Sequence, residues 1–396
     1  MSHGRLPRIL HISGDFPDPI EPSKTPVIAR LLALTDDQFE HRIISLNRVS
    51  PSIGDWASGT VFSKQSSQAL AKQQAFERGV AVQYYAPAKG VLHKAALERL
   101  GDWIAEFARS DGQPDLIIGH KLTIEGIAAM RAAKALGVPF ALSIQGNTDT
   151  KILVARPDLK RVFGRAFHEA AAVFPFAPWA LDEATKRLGA RTKPTVTLPC
   201  ATDLDQIIAP KPGGNGMVSL FHLGRHKTKN LAGLGAAMRR LQNQPNIPVL
   251  NVIGDGTDPE LVECRKTANA ASIHYSVPPM RRSDLGKILN EATGFVMPSL
   301  AESFGLVFTE ALFAGLPIIY PKGRAVDGYF DDLPFAIAVN PKDPANIAEA
   351  ITYMCRHEAA LKAELALWQN SDHARQFTQN AIAQQFASGL IQALCD

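Results

Sequence analysis

Two glutamates, Glu302 and Glu310, stand with seven residues between them in the stretch from Pro298 to Pro317. Gly305 lies in the interval, where a missing side chain lets backbone approach a ligand closely. Carboxylates are strong acceptors for hydroxyl donors, and the unpaired N–H groups of a helix start suit an anion. A ligand that carries both phosphate and many hydroxyls fits this set, and a nucleotide sugar is such a ligand.

The elements around these residues follow from pattern. Gly294-Phe295-Val296-Met297 and Ile318-Ile319-Tyr320 are short apolar runs, and the segment between them reads as a helix closed by Gly315 and Pro317. This predicts a βαβ unit with a helix crossing over between parallel strands. In such sheets ligands sit beyond the carboxyl ends of the strands, where Glu302 and Gly305 fall. The plain alternative makes Glu302 a helix cap and Glu310 a solvated helix residue.

Taken together, Glu302, Phe304-Gly305, Glu310-Ala311 and Gly315-Leu316-Pro317 resemble the E-x7-E signature of family-four retaining glycosyltransferases. The resemblance implies a GT-B architecture: α/β, with two Rossmann-like domains whose parallel sheets face each other across a cleft. It implies that Glu302 contacts sugar hydroxyls, that the backbone at Gly305 and Leu306 holds phosphate, and that Glu310 holds ribose hydroxyls. Gly224-Arg225 followed by His226-Lys227-Thr228-Lys229 ends a strand, Val218 to Leu223, and precedes a helix from Leu231. Glycine gives room there and cations neutralise charge. In the family a matching Arg and Lys grip the diphosphate, which assigns Arg225 with Lys229 and leaves Lys227 as a rival. Gly254, in Gly254-Asp255-Gly256, is expected on the wall of the nucleotide pocket, and Val277 lies where the family reads the base through backbone groups. Lys322 to Gly328 stands where the family has a Gly-Gly-x-x-Glu turn.

The first half matches more loosely. Asp115 to His120 and Val138 to Gly146 read as buried strands, whose ends place His120, Gln145 and Asn147 toward a substrate. The family commonly has His where this chain has Gln145. Glutamine exchanges hydrogen bonds but carries no charge, so a positioning role survives and an imidazolium role does not. Glu21 to Pro26 replaces a glycine-rich loop, and Lys24 and Thr25 are the acceptor-side donors it offers. From about Asn47 to Gln74 the pattern is lost, which predicts a long mobile loop. Leu97, Leu100, Ile104 and Phe107 recur at helical spacing with Trp103 beside them, a stripe expected to pack on the sheet rather than enter a membrane. Arg156, Lys160, Arg161 and Arg165 form a basic ridge on an expected helix. Asp203-Leu204-Asp205 matches the D-x-D metal pair of another glycosyltransferase fold, but it falls on the Pro-x-x-x-Asp hinge resembled by Pro199 to Asp203, so no metal is expected.

With 396 residues the chain exceeds one ordinary core. The expected domains are 1–205 for the acceptor, 206–376 for the donor, and a helix, 377–396, crossing back. Ile208 to Met217, rich in Pro and Gly, reads as the linker. Apolar content of 46% and charged content of 20% describe a globular enzyme, not a disordered or fibrous chain. The net charge of +4 comes wholly from residues 1–205, with 25 Lys and Arg against 21 Asp and Glu; residues 206–396 hold 17 of each. That balance suits an anionic acceptor or a membrane surface near the N-terminal domain and is too small for nucleic acid. Four scattered cysteines and the absence of a long apolar run lead to the expectation of a reduced, cytoplasmic protein, at most peripheral to the inner face of a membrane. The expected partners are a UDP- or GDP-sugar donor, as substrate rather than cofactor, and a glycan or lipid-linked acceptor. Two alternatives remain: a nucleotide-sugar epimerase, and a donor-binding protein without catalysis.

Overall fold

A computed structural model describes residues 5–50, 70–86, 92–244, 248–276 and 282–395. The chain divides into two compact units: 1–176 with 180–201 and 380–396, and 177–179 with 202–379. The first contains β1 (Arg8–Ser13), α1 (Val27–Ala33), β2 (Glu40–Val49), β3 (Leu70–Phe76), β4 (Gly79–Tyr85), α2 (His93–Asp111), β5 (Leu116–Gly119), α3 (Glu125–Leu136), β6 (Phe140–Ile144), α4 (Asn147–Ala155), α5 (Lys160–Glu169) and β7 (Ala172–Pro175). After α6 (Pro178–Leu188), the second unit runs β8 (Met217–Leu220), α7 (Leu231–Leu241), β9 (Leu250–Ile253), α8 (Asp258–Ala268), β10 (Ile273–Ser276), α9 (Leu285–Asn290), β11 (Gly294–Val296), α10 (Leu306–Phe313), β12 (Ile318–Pro321), β13 (Ala336–Val339), α11 (Pro344–Gln369) and α12 (Asp372–Arg375). Apart from its first residue, the last helix, α13 (Gln379–Leu394), belongs to the first unit, where Phe386 meets Phe174 of β7 edge to face at 5.4 Å.

Each unit is built on one sheet. In the first the order is β3-β4-β2-β1-β5-β6-β7, parallel except for the antiparallel β3–β4 pair. In the second it is β10-β9-β8-β11-β12-β13, parallel throughout. Strands covered on both faces read as unbroken apolar runs, as in Leu116 to Ile118 and Phe295-Val296, all fully buried. The expected βαβ unit around Glu302 is present: β11 and β12 pair in parallel, and α10 joins them.

Three expectations are corrected. The pattern lost after Asn47 conceals structure, because β2 continues to Val49 and β3 begins at Leu70; residues 51–69 of the expected loop lie outside the described residues. β3 escaped notice because it is an edge strand with five exposed residues, so it lacks a buried face to set a period. Secondly, Arg156 does not share a helix with Lys160, Arg161 and Arg165. It closes α4 and pairs with Asp158 at 2.6 Å, while the other three ride on α5. Thirdly, Ile208 to Met217 is no loose linker, since its backbone is tied within the second unit. Ile208 N donates to Phe313 O at 2.8 Å, Gly214 N to Glu358 at 2.7 Å, and the buried Lys362 Nζ to Lys211 O at 2.6 Å. In α2, Leu97, Leu100, Trp103 and Ile104 of the stripe are buried and Phe107 is half-buried, and the helix lies against α3.

Candidate functional site

In the second unit two loops at the carboxyl ends of β8 and β11 are stapled together. Asn230, held at φ 63°, caps α7 by accepting from Gly233 N, and its Nδ2 donates to Pro298 O at 3.0 Å and Pro341 O at 2.6 Å. Leu300 N donates to Thr228 O at 2.9 Å. This registration carries Lys229 onto Glu302, where ammonium and carboxylate form an ion pair. Lys227 stays exposed, so Lys229 is the lysine that the fold delivers to Glu302. Arg225, at the end of a short turn after β8, is exposed.

Gly305 caps α10 at φ +76°, a backbone region that L side chains rarely adopt, and an added Cβ there would lie 2.8 Å from the Phe308 ring. It opens the first turn of α10, with Leu306 next and half-buried. Gly254 meets a harder limit, since a Cβ would fall 1.8 Å from Phe221 O. Only glycine lets the end of β9 pass that close to the end of β8. The resemblance placed Val277 beside this wall, but it lies outside the described residues. Glu302 also uses its carbonyl, which accepts from Ala325 N at 3.3 Å and ties the Lys322–Gly328 turn to the same loop.

Glu310 is not a solvated helix residue. It is 4% exposed, and the Thr202 hydroxyl donates to its Oε1 at 2.6 Å. A hydrogen bond to a buried carboxylate contributes about 1.5–3 kcal/mol. Thr202→Val is therefore expected to destabilise the second unit by roughly that amount in urea unfolding; a loss under about 0.5 kcal/mol contradicts this role for the contact.

In the first unit His120 is corrected from an open strand-end side chain to a fully buried one. Its Nε2 meets His11 Nδ1 at 3.0 Å and its Nδ1 meets the Ser143 hydroxyl at 3.2 Å. The chain goes on from His11 Nε2 to His41 Nδ1 at 2.9 Å, and from His41 Nε2 to Thr35 Oγ1 at 3.0 Å. Because Thr35 donates to Leu32 O, it accepts from His41, and every ring then carries its proton on Nε2. Burial, with Lys121 and His41 nearby, lowers His120 to about 3. Burial and Arg78, partly offset by Asp36, take His41 to about 4, and burial with its two histidine neighbours holds His11 well below the usual value.

Lys24 is likewise committed. Its Nζ donates to Asp18 at 2.7 Å, Ser45 at 3.0 Å and Leu46 O at 3.1 Å, so it locks its loop to β2 instead of standing open to an acceptor. Burial pulls the Asp18 carboxyl up, but hydrogen bonds from Lys24, Ser45 and Asn47 outweigh it and hold the group at about 2. Thr25 is exposed. Gln145 follows β6, half-buried, with its backbone N on the buried Asp149 at 3.3 Å; Asn147 begins α4. Asp149 also accepts from Thr123 N and Oγ1, which ties the ends of β5 and β6 together. The sequence reading missed Asp15, Lys121 and Glu125 at the ends of β1 and β5. Their one visible signal was charge soon after an apolar strand, with Glu125 opening the next helix.

Residues 218–357 match the family described as "Glycosyl transferases group 1". D-inositol 3-phosphate glycosyltransferase of Paenarthrobacter aurescens (strain TC1) is 24% identical over 274 residues, 61% of this chain and 64% of that protein; the chain thus spans under two thirds of that relative's length. Sucrose-phosphate synthase from Thermosynechococcus elongatus superposes with a TM-score of 0.67 over 98% of both chains at 17% identity. The UDP-forming alpha,alpha-trehalose-phosphate synthase from Burkholderia xenovorans, in complex with glucose-6-phosphate, gives 0.65 over 97% of this chain and 100% of that one at 13% identity. The fold is GT-B. With the family match over the second unit, it supports a glycosyltransferase. Among the described residues no helix is long and apolar enough to cross a membrane.

Proposed function

We propose that this GT-B chain is a family-four, retaining, metal-independent hexosyltransferase that moves a sugar from a UDP- or GDP-sugar to an acceptor hydroxyl. The observation that carries the reading is the Lys229–Glu302 ion pair beside left-handed Gly305, at the N-terminal end of a helix that also holds Glu310. The two stapled loops thus offer a cation, amide donors and a carboxylate to one ligand. Arg225 and Lys229 neutralise the diphosphate, with the Gly305 and Leu306 amides beside them. Glu302 accepts from sugar hydroxyls and Glu310 from the ribose, while Gly254 forms the pocket wall.

Such transfer passes through an oxocarbenium-like state in which charge builds on the departing diphosphate, so the cations act most strongly as the bond breaks. The leaving phosphate takes the acceptor's proton, and no protein nucleophile is needed. Gln145 positions by hydrogen bonding. His120, enclosed and neutral, supports the strand ends without touching the reacting atoms.

The acceptor belongs to one of two classes. The name of the inositol-phosphate relative favours a phosphorylated polyol; the sequence resemblance favours a glycan or lipid-linked acceptor of polysaccharide or glycolipid synthesis, met at the cytoplasmic face of a membrane. UDP-, GDP- and ADP-sugars are to be scored for nucleoside diphosphate release with inositol phosphate, with glucose 6-phosphate and with a membrane-lipid extract. Release that needs one donor and one acceptor class, and is lost in Glu302→Gln, is the expected result. A new nucleotide sugar without diphosphate release establishes epimerisation instead, and donor binding without any release establishes a binding protein.

A further inference from the structure

In the first unit the strand order turns at β1, which has β2 on one side and β5 on the other, the place where open α/β sheets bind ligands. One backbone donor and one nearby cation face a single carboxyl oxygen there. Glu125 Oε1 accepts from Gly14 N at 2.7 Å, just past β1, and lies 3.9 Å from Lys121 Nζ, just past β5. Lys121 Nζ also pairs with Asp15 at 2.6 Å. Glu125 is 1% exposed, and its Oε2 is buried without a hydrogen-bond partner. A carboxylate built in as a permanent structural ion has both oxygens satisfied, because an unpaired buried charge is costly. Half satisfied, Glu125 has the features of a stand-in for an anion that the amide and the cation are arranged to take.

We propose that this point is an oxyanion subsite, in which Lys121 and the Gly14 amide bind a phosphoryl group and Glu125 takes up one proton as that group arrives. The proton comes from solvent and neutralises the Glu125 carboxylate, so one negative charge leaves as another enters. The incoming group displaces the Glu125 oxygen from Gly14 and the Asp15 carboxylate from Lys121. The Asp15 side chain is 27% exposed and so has space to turn outward.

The charges around Glu125 agree with this exchange. Burial raises its carboxyl, Lys121 lowers it, Asp15 raises it again, and the backbone amides of Glu125 and Gly14 lower it, leaving it at about 7. Tyr84 of β4 also faces it, and Asp149 of α4 acts on the shared Lys121. Burial works against the Lys121 ammonium, but Glu125, Asp15 and Asp149 outweigh it and keep it charged. Because Glu125 must be neutral for binding, affinity falls as pH rises through about 7.

The test is calorimetric titration of the full chain with glucose 6-phosphate and, separately, with UDP, which distinguish an acceptor phosphate from a nucleotide phosphate. Between about pH 6 and about pH 8, the Kd for one probe is expected to rise about tenfold relative to its Kd for Glu125→Gln, which is neutral at both values. Lys121→Met is expected to weaken that probe at both. Wild-type and Glu125→Gln affinities that change in parallel with pH overturn the subsite, as does unaltered binding by Lys121→Met or no binding of either probe. Should Glu125→Gln not fold, carbon-13 NMR of the glutamate carboxyls in the wild-type chain decides. One carboxyl titrating near neutrality and moved upward by the probe supports the proposal, and none titrating above about pH 6 overturns it. No sugar transfer enters these readouts, so the subsite stands or falls apart from the proposed activity.

Discussion

Lys229→Met is expected to lower kcat/KM for nucleoside diphosphate release by about 10²–10³, or about 3–4 kcal/mol of transition-state stabilisation. Two losses combine. The ammonium is absent when charge builds on the leaving phosphate, and Glu302, its side chain 15% exposed, keeps a carboxylate without its counter-ion. Lys229→Arg restores the charge with a different shape and should recover part of the rate. Arg225→Ala separates catalysis from folding more cleanly. Arg225 is exposed, so its removal should leave the thermal midpoint almost unchanged. A rate loss of similar order is expected all the same, because this guanidinium is assigned to the diphosphate. If both variants release diphosphate within about threefold of wild type, the assigned phosphate site is wrong.

Acid should unfold the first unit well before the second. His11, His41 and His120 are buried and neutral in the native state but bind protons freely once unfolded, so below about 6.5 the unfolded chain holds more protons and stability falls with pH. The loss runs from about 6.5 down toward the native values of about 4 for His41 and about 3 for His120. Between about pH 7 and about pH 5 His41 and His120 together cost about 4 kcal/mol, and His11 acts in the same direction. Glu125 works in the opposite sense, because its native value of about 7 lies above that of a free carboxyl and its protonation favours the folded state. It offsets about 2 kcal/mol over the same range, leaving a net loss of about 2 kcal/mol to which His11 adds, against a typical total of about 5–15 kcal/mol for a domain. Urea unfolding at the two pH values should show the transition of the first unit moving to lower urea. Equal shifts in both units, or none, contradict the neutral histidine chain.

How far these features could be read in the sequence varies with how local their causes are. The βαβ unit around Glu302 was legible because apolar strands, a glycine in the loop and a Gly-Leu-Pro stop are local signals, and the structure pairs β11 with β12 in parallel as they require. The resemblance assigned Lys229 but left Lys227 as a rival, since what separates them depends on Asn230 bridging to Pro298 and Pro341, residues far along the chain. His120 shows the same limit. A strand end does point toward the ligand side, but whether its imidazole is open depends on His11 and Ser143 from two other strands. Lys24 looked like a free cation because nothing in its loop announces Asp18 and Ser45 as partners. The alternative of a solvated Glu310 stayed open because nothing local shows that Thr202 lies against it.

The most direct measurement is proton NMR of one reaction containing the α-linked nucleotide sugar that the donor screen selects, its acceptor and the enzyme. The account predicts that the anomeric signal of the donor decays while a new signal with the small coupling of an α-linkage grows at the same rate, alongside free nucleoside diphosphate. A product with the large coupling of a β-linkage contradicts retention, and an unchanged donor signal contradicts transfer itself.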